Sequence, residues 1–317
     1  MKGNLMLLLT ALIWGTAFVA QSTGMDHVGP FTYNGVRNLI AGFVLFPVIA
    51  AFDRMKRNGT VSYAENGINS ENNEGSAYRT IDHTSRRNGI FCGVFLFIAS
   101  SFQQYGISMT TAGKAGFVTA LYIVIVPVLG IFLKKRVPPV VWLSAIIAIG
   151  GFWLLCIKEG FSVGHGDLLV LCCAFFFSLH ILVIDHFNEG PVDGVRMSQA
   201  QFFTVAVLSL PFILLTELPG GSASWNVFLS SVLNARWSIL YTAIMSSGVA
   251  YTLQILAQRY TEPATATLLM SLESVFAALA GWVILHERLS PKELAGCLLV
   301  FTAVLLAQMP GADASRE

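Results

Sequence analysis

Seven side chains in this sequence suit the handling of a small polar molecule in apolar surroundings: Trp14, Arg37, Gln103, Tyr122, Tyr251, Gln254 and Glu273. All of them fall within apolar runs, where a polar group is costly and therefore needs a role. Glu273 is the sharpest case, as the only acidic residue deep inside such a run. An ionised acid at the centre of a bilayer costs about 2.5–3.5 kcal/mol on insertion scales, so it must face a cavity or carry a proton. Its chemistry would be proton coupling or capture of a substrate amine; the structural alternative is a hydrogen bond locking two helices. Ala277, Ala280 and Gly281, at +4, +7 and +8, form a stripe of small residues that admits close helix packing and turns Glu273 inward. Arg37 is the only basic residue well inside a run, about two turns in and close enough to the outer face to snorkel. Its guanidinium could grip a carboxylate with two parallel hydrogen bonds. His180, the only histidine at such depth, is a second proton-coupling candidate because imidazole titrates near neutral pH; a core histidine is its plainer role.

Amides serve either end of a polar substrate, and also bond to neighbouring helices. Gln103 stands among Ser100, Ser101 and Gln104, while Ser247, Tyr251, Gln254 and Gln258 share one helical face at spacings of 4, 3 and 4. Trp14 and Phe18 share a face with Thr10 and Gln21, as core packing or as the wall of a cavity.

The elements that position these groups follow from composition. The chain has 317 residues, of which 55% are hydrophobic and only 12% charged. Its mean hydropathy is +0.66, whereas a soluble domain carries about 25% charged residues. Ten apolar runs of helix-spanning length can be traced: roughly 4–22, 30–52, 89–108, 114–133, 138–157, 166–185, 198–217, 237–258, 263–285 and 292–309. Turn and breaker residues separate them, as at Gly29-Pro30, Pro138-Pro139 and Ser290-Pro291. The first run is longer than a secretory h-region and reads as a retained helix. Lys114 marks a helix start at the outer interface. Thirteen Lys and Arg fall on the side of both termini and five on the other, which predicts a multi-pass inner-membrane protein with both termini cytoplasmic. Residues 53–88 are rich in charge and Asn and lack apolar period, so a mobile polar cytoplasmic loop is expected there, and 310–317 form a cytoplasmic tail.

The chain also repeats itself. A shift of 151 residues superposes Gln103 on Gln254, Thr110 on Thr261, Ala115 on Ala266, Leu121 on Leu272 and Gly130 on Gly281. The same shift sets Tyr122 opposite Glu273. At the front a shift of 163 superposes Gly3 on Gly166 and Ala11 on Ala174. Two five-helix halves, 1–157 and 158–309, follow from this. Since five is odd, the second half enters the membrane from the opposite face, giving an all-α polytopic protein of ten transmembrane helices in two inverted repeats. Such repeats are a recurrent plan of secondary transporters, with the substrate held near the midplane between halves.

Certain strings carry a resemblance: Trp14-Gly15-Thr16-Ala17-Phe18, Gly29-Pro30-Phe31, Arg37-Asn38-Leu39-Ile40-Ala41, Ser271-Leu272-Glu273-Ser274-Val275-Phe276-Ala277-Ala278, and His286-Glu287-Arg288-Leu289 with Gly296. The chain resembles the EamA-type members of the drug/metabolite transporter superfamily over nearly its whole length outside 53–88. The resemblance implies ten helices in two inverted halves and export or import of small metabolites, often amino acids. Two features depart from the pattern. Ser274 stands where the usual Leu-Glu-Pro run has its proline, and Arg136 occupies the first-half position equivalent to Glu287. Pro127 lies one turn beyond Ile123, the residue aligned with Ser274.

No phosphate-loop motif, H-E-x-x-H zinc motif or G-x-S-x-G elbow is present, and the five cysteines lie in apolar runs without metal or disulfide spacing. The near-neutral net charge of +1 gives no bulk attraction to nucleic acid. The expectation is a secondary active transporter without enzymatic activity, cofactor or metal, moving small polar metabolites by alternating access, with amino-acid export foremost. Its partners would be the substrate, membrane lipid and a coupling proton, as a monomer or homodimer. Rival readings are a transporter of lipids or of hydrophobic or cationic drugs, a membrane sensor or structural protein, and an intramembrane enzyme.

Overall fold

The computed structural model describes residues 2–57, 74–110, 112–135, 137–156, 164–218, 224–284 and 290–307. Arg136, the His286–Leu289 string, the centre of the polar loop and the tail lie outside the described residues. All regular structure among the described residues is helical. Eight segments are long and apolar enough to cross a membrane, and two shorter apolar helices, Pro139–Gly151 and Leu294–Leu306, fall on the remaining two expected spans.

In chain order the helices are α1 (Lys2–Met25), α2 (Pro30–Arg57), α3 (Glu74–Met109), α4 (Ala112–Thr119), α5 (Tyr122–Phe132), α6 (Pro139–Cys156), α7 (His165–Asn188) and α8 (Gly194–Phe212). They continue as α9 (Ser224–Asn234), α10 (Arg236–Tyr241), α11 (Thr252–Ala257), α12 (Pro263–Met270), α13 (Glu273–Ile284) and α14 (Pro291–Ala307). Wider π-helical turns follow α8 at Ile213–Glu217 and join α10 to α11 at Thr242–Tyr251.

The repeat is visible in the breaks. α4 and α12 start, end and resume as α5 and α13 at positions 151 residues apart: 112 and 263, 119 and 270, 122 and 273. Each spanning segment is therefore interrupted at the same place, Ala120-Leu121 and Ser271-Leu272, by a turn of tighter i→i−3 hydrogen bonds. The second break forms without the proline that Ser274 replaces, so the interruption does not depend on a missing amide proton.

The helices α2 and α8, equivalent in the two halves, lie antiparallel and are joined at both ends. At one end Glu217 accepts from the backbone N–H groups of Phe31 and Thr32 at 2.8 and 2.7 Å, where four helix-start amides need acceptors. At the other end Asp53 accepts from Arg196. Two helices related by an axis in the membrane plane must run in opposite directions, as these do.

The polar stretch 53–88 differs from the expected loop. Residues 74–88 are helical and extend α3, and 53–57 continue α2. Asp82, Asp53 and Asp193 surround the buried Arg196 guanidinium, and Ser85 accepts from the Asp193 amide at 2.7 Å. This helix packs through ionic and polar contacts, so it shows no apolar period. A second unexpected element is α9, whose Trp225, Val227, Leu229 and Leu233 are exposed.

The two largest hydrophobic clusters are centred on α1, α5, α6, α12 and α14 and on α2, α3, α7 and α8. Trp14 packs against both.

Candidate functional site

Gly15 brings the site together. A Cβ there would lie 2.4 Å from the Phe276 Cβ and 2.7 and 2.9 Å from the backbone of Glu273 and Ala277. Only a residue without a side chain lets α1 touch the α13 backbone beside Glu273, and the buried small residues Ala277, Ala280 and Gly281 complete that close approach.

Glu273 opens α13 and is 3% exposed. The Tyr122 hydroxyl, at the equivalent start of α5, donates to its Oε1 at 2.8 Å. Residues equivalent under the repeat can touch only beside the axis that relates the halves, so this bond marks that axis. Beside it the Ser274 hydroxyl donates to the Gly116 carbonyl at 3.1 Å, tying α13 to α4. Among the described residues Glu273 has no cation as partner.

Arg37 does not snorkel. It is 2% exposed, because its head finds polar partners within the protein. Nη1 donates to Gln21 Oε1 at 2.9 Å, while Nε and Nη2 donate to Asn34 Oδ1 at 3.3 and 3.2 Å. Asn34 is fixed in turn by its own donation to Ser100 at 2.8 Å, and the Tyr33 ring lies 5.7 Å from the guanidinium. Every partner is neutral. Among the described residues no carboxylate pairs with Arg37, which leaves a buried cation balanced only by dipoles.

The π-helical segment supplies a third wall. Its wider turn disturbs the backbone ladder, and two of its carbonyls accept from α1: Ala250 from the Thr10 hydroxyl at 3.2 Å and Ser246 from Trp14 Nε1 at 3.3 Å. The Trp14 and Tyr251 rings then meet with centroids 4.8 Å apart. Gln103 Nε2 donates to Thr119 at 3.4 Å. Gln254, its repeat counterpart, is 1% exposed, and among the described residues its Oε1 has no hydrogen-bond partner.

All seven residues singled out from the sequence line one cavity. Phe18 and Gln21 join them from the helical face already noted; Phe177, Thr119, Ile181 and Ser246 complete the lining. Ser246 was hidden by the helix type. The α-helical spacing points to Ser247, whereas in the π-helical segment Ser246 is the serine that lines the cavity. His180 is not in the lining. It is fully buried behind Phe177 and Tyr251, with Nε2 3.1 Å from Gln201 Oε1. Among the described residues no cluster of His, Cys, Asp and Glu could hold a metal ion.

The cavity thus carries one buried cation, one buried acid, five further amide or hydroxyl side chains and five aromatic residues, a lining suited to binding a small polar molecule.

Comparisons with known proteins agree with this geometry. An uncharacterized transporter from Archaeoglobus fulgidus is 29% identical over 307 residues, covering 96% of this chain and 85% of the relative. The uncharacterized transporter YoaV of Bacillus subtilis is 21% identical over 96% of both chains. The threonine/homoserine exporter RhtA of Escherichia coli K12 is 29% identical over 191 residues, 56% of each chain. A solved crystal structure superposes with a TM-score of 0.70 at 18% identity, covering 96% of each chain, which establishes the likeness of fold. The EamA-like transporter family matches residues 1–157 and again 164–309. With two matched repeats spanning nearly all its length, this multi-pass membrane protein belongs to the EamA-like transporter family.

Proposed function

We propose that this protein is a secondary active transporter that moves small polar metabolites across the inner membrane by alternating access, with amino-acid export its leading activity. The observation that carries the reading is the cavity beside the repeat axis, where side chains from both halves meet around buried polar groups. Halves related by an inverted repeat can exchange conformations, so one site can face each side of the membrane in turn with little difference in energy. Trp14, Arg37, Gln103, Tyr122, Tyr251, Gln254 and Glu273 form the substrate site in this reading. Glu273 is the group through which a proton would couple to substrate. His180, outside the lining, is the weaker coupling candidate.

Amino acids as substrates and export as direction are supported by the similarity to a protein named a threonine/homoserine exporter, over 56% of this chain. A cytoplasmic placement of both termini is supported by the Lys and Arg bias of the connections. The function operates in one chain or in a homodimer. A second reading, transport of cationic aromatic drugs, draws on the five rings around Glu273; the buried Arg37 in the same cavity opposes it by like-charge repulsion.

The test is transport by the full-length protein in proteoliposomes, using counterflow of radiolabelled amino acids with and without a proton gradient. Accumulation that exceeds protein-free liposomes and depends on Glu273 supports the proposal. Absence of any uptake across the amino-acid panel sinks it.

A further inference from the structure

One buried cation, Arg37, and one buried acid, Glu273, face the cavity, and among the described residues neither has a partner of opposite charge. Of the five N–H donors of Arg37, three are engaged by Gln21 and Asn34, which leaves two. Two donors are what a carboxylate needs for bidentate capture. Glu273 is met by one neutral hydroxyl, and Gln254, which lines the same cavity and whose Oε1 has no partner among the described residues, is a second acceptor. An ammonium group carries three protons and no acceptor, so it matches a carboxylate and an amide oxygen.

The spacing is also set by α1. The backbone of Glu273 lies level with Gly15, whereas the Arg37 head is held by Gln21, six residues or about 9 Å further along the helix. Two charge-assisted hydrogen bonds and the short separation of an α-amino from its own carboxylate together bridge a gap of this order. Trp14 and Tyr251 offer an aromatic wall to the same cavity.

We infer that the cavity selects zwitterions by reading both charges, with Arg37 taking the carboxylate and Glu273 with Gln254 taking the ammonium of one α-amino acid. A substrate carrying only one charge leaves the opposite buried charge desolvated and unmatched. A site built to hydrogen-bond a group rejects the analogue lacking that group strongly, here by about 100-fold or more. This inference rests on the cavity being the substrate site of a transporter.

The experiment measures dissociation constants of the full-length detergent-purified protein, by ligand-induced thermal stabilisation, for three matched sets. These are serine, ethanolamine and 3-hydroxypropanoate; leucine, isoamylamine and 4-methylpentanoate; phenylalanine, phenethylamine and 3-phenylpropanoate. Binding of at least one amino acid about 100-fold tighter than both its amine and its acid supports the inference. The wild-type protein alone decides this comparison, so misfolding of a variant does not blunt it. In Arg37→Gln the preference should move to the amine, and in Glu273→Gln to the acid. Equal binding of an amine or acid and its parent amino acid overturns the two-charge reading while leaving the transporter reading intact. So do variants that keep the wild-type melting temperature and lose all ligands without switching class. If the wild-type protein binds none of the nine and moves no amino acid in proteoliposomes, both readings fall together.

Discussion

Replacing Tyr122 by Phe removes a single oxygen from the centre of the molecule and keeps the ring. The lost interaction is a 2.8 Å hydroxyl–carboxyl hydrogen bond between residues that are 2% and 3% exposed. A hydrogen bond to a charged group contributes about 1.5–3 kcal/mol, a neutral one about 1 kcal/mol. Among the described residues Glu273 has no other side-chain hydrogen bond, so nothing nearby substitutes for the lost donor. Tyr122→Phe should therefore destabilise by about 1.5–3 kcal/mol. For a chain of this size that lowers the thermal midpoint by roughly 3–6 °C. Glu273→Gln keeps an oxygen to accept from Tyr122, so in that background Tyr122→Phe should cost only about 1 kcal/mol. The two single variants and the double variant, melted in the same detergent, then give a coupling of about 0.5–2 kcal/mol. A Tyr122→Phe protein that melts as the wild type does would mean that these repeat-equivalent residues do not hold the halves together, and the placement of the repeat axis through this bond would be refuted.

Three further outcomes follow from the packing. Gly15→Ala pushes a methyl group against the α13 backbone and should cost about 1–3 kcal/mol, seen as a lower melting temperature. Arg196→Gln removes the cation that Asp53, Asp82 and Asp193 share, and a loss of about 3 kcal/mol is expected; a melting temperature unchanged from wild type would contradict the ionic anchoring of α3 and α8. Lys134 follows α5 with a φ of 59°, in the left-handed region, while the Lys135 amide returns to the Gly130 carbonyl at 2.9 Å. Lys134→Gly should stabilise by about 1 kcal/mol, read as a higher melting temperature; a drop would show that the Lys134 side chain contributes more than its backbone costs.

Much of the architecture is legible in the sequence because the membrane imposes it. Spans declare themselves by length, and the repeat offset that aligns Tyr122 with Glu273 also aligns the helix breaks one residue before each. Polar residues in apolar runs point to the cavity for the same reason: in lipid they have nowhere else to go. What stays hidden depends on partners from distant helices or on altered backbone. Arg37 reads as a snorkelling residue until Gln21 and Asn34 are seen holding it. Ser246 is masked by the π-helical register, and Thr119 by the absence of any spacing that ties it to Gln103. The start of α3 escapes detection because Arg196, rather than an apolar face, anchors it.

Alternating access through the cavity can be tested with one reporter. In a protein whose five native cysteines are replaced by alanine, Ser246→Cys places a single thiol in the cavity wall. Proteoliposomes of known orientation are then exposed to a membrane-impermeant thiol reagent from either side, with and without a transported amino acid. The account predicts labelling from both sides and slower labelling when the amino acid is bound. Labelling from one side only, at a rate unaffected by any amino acid, would contradict it.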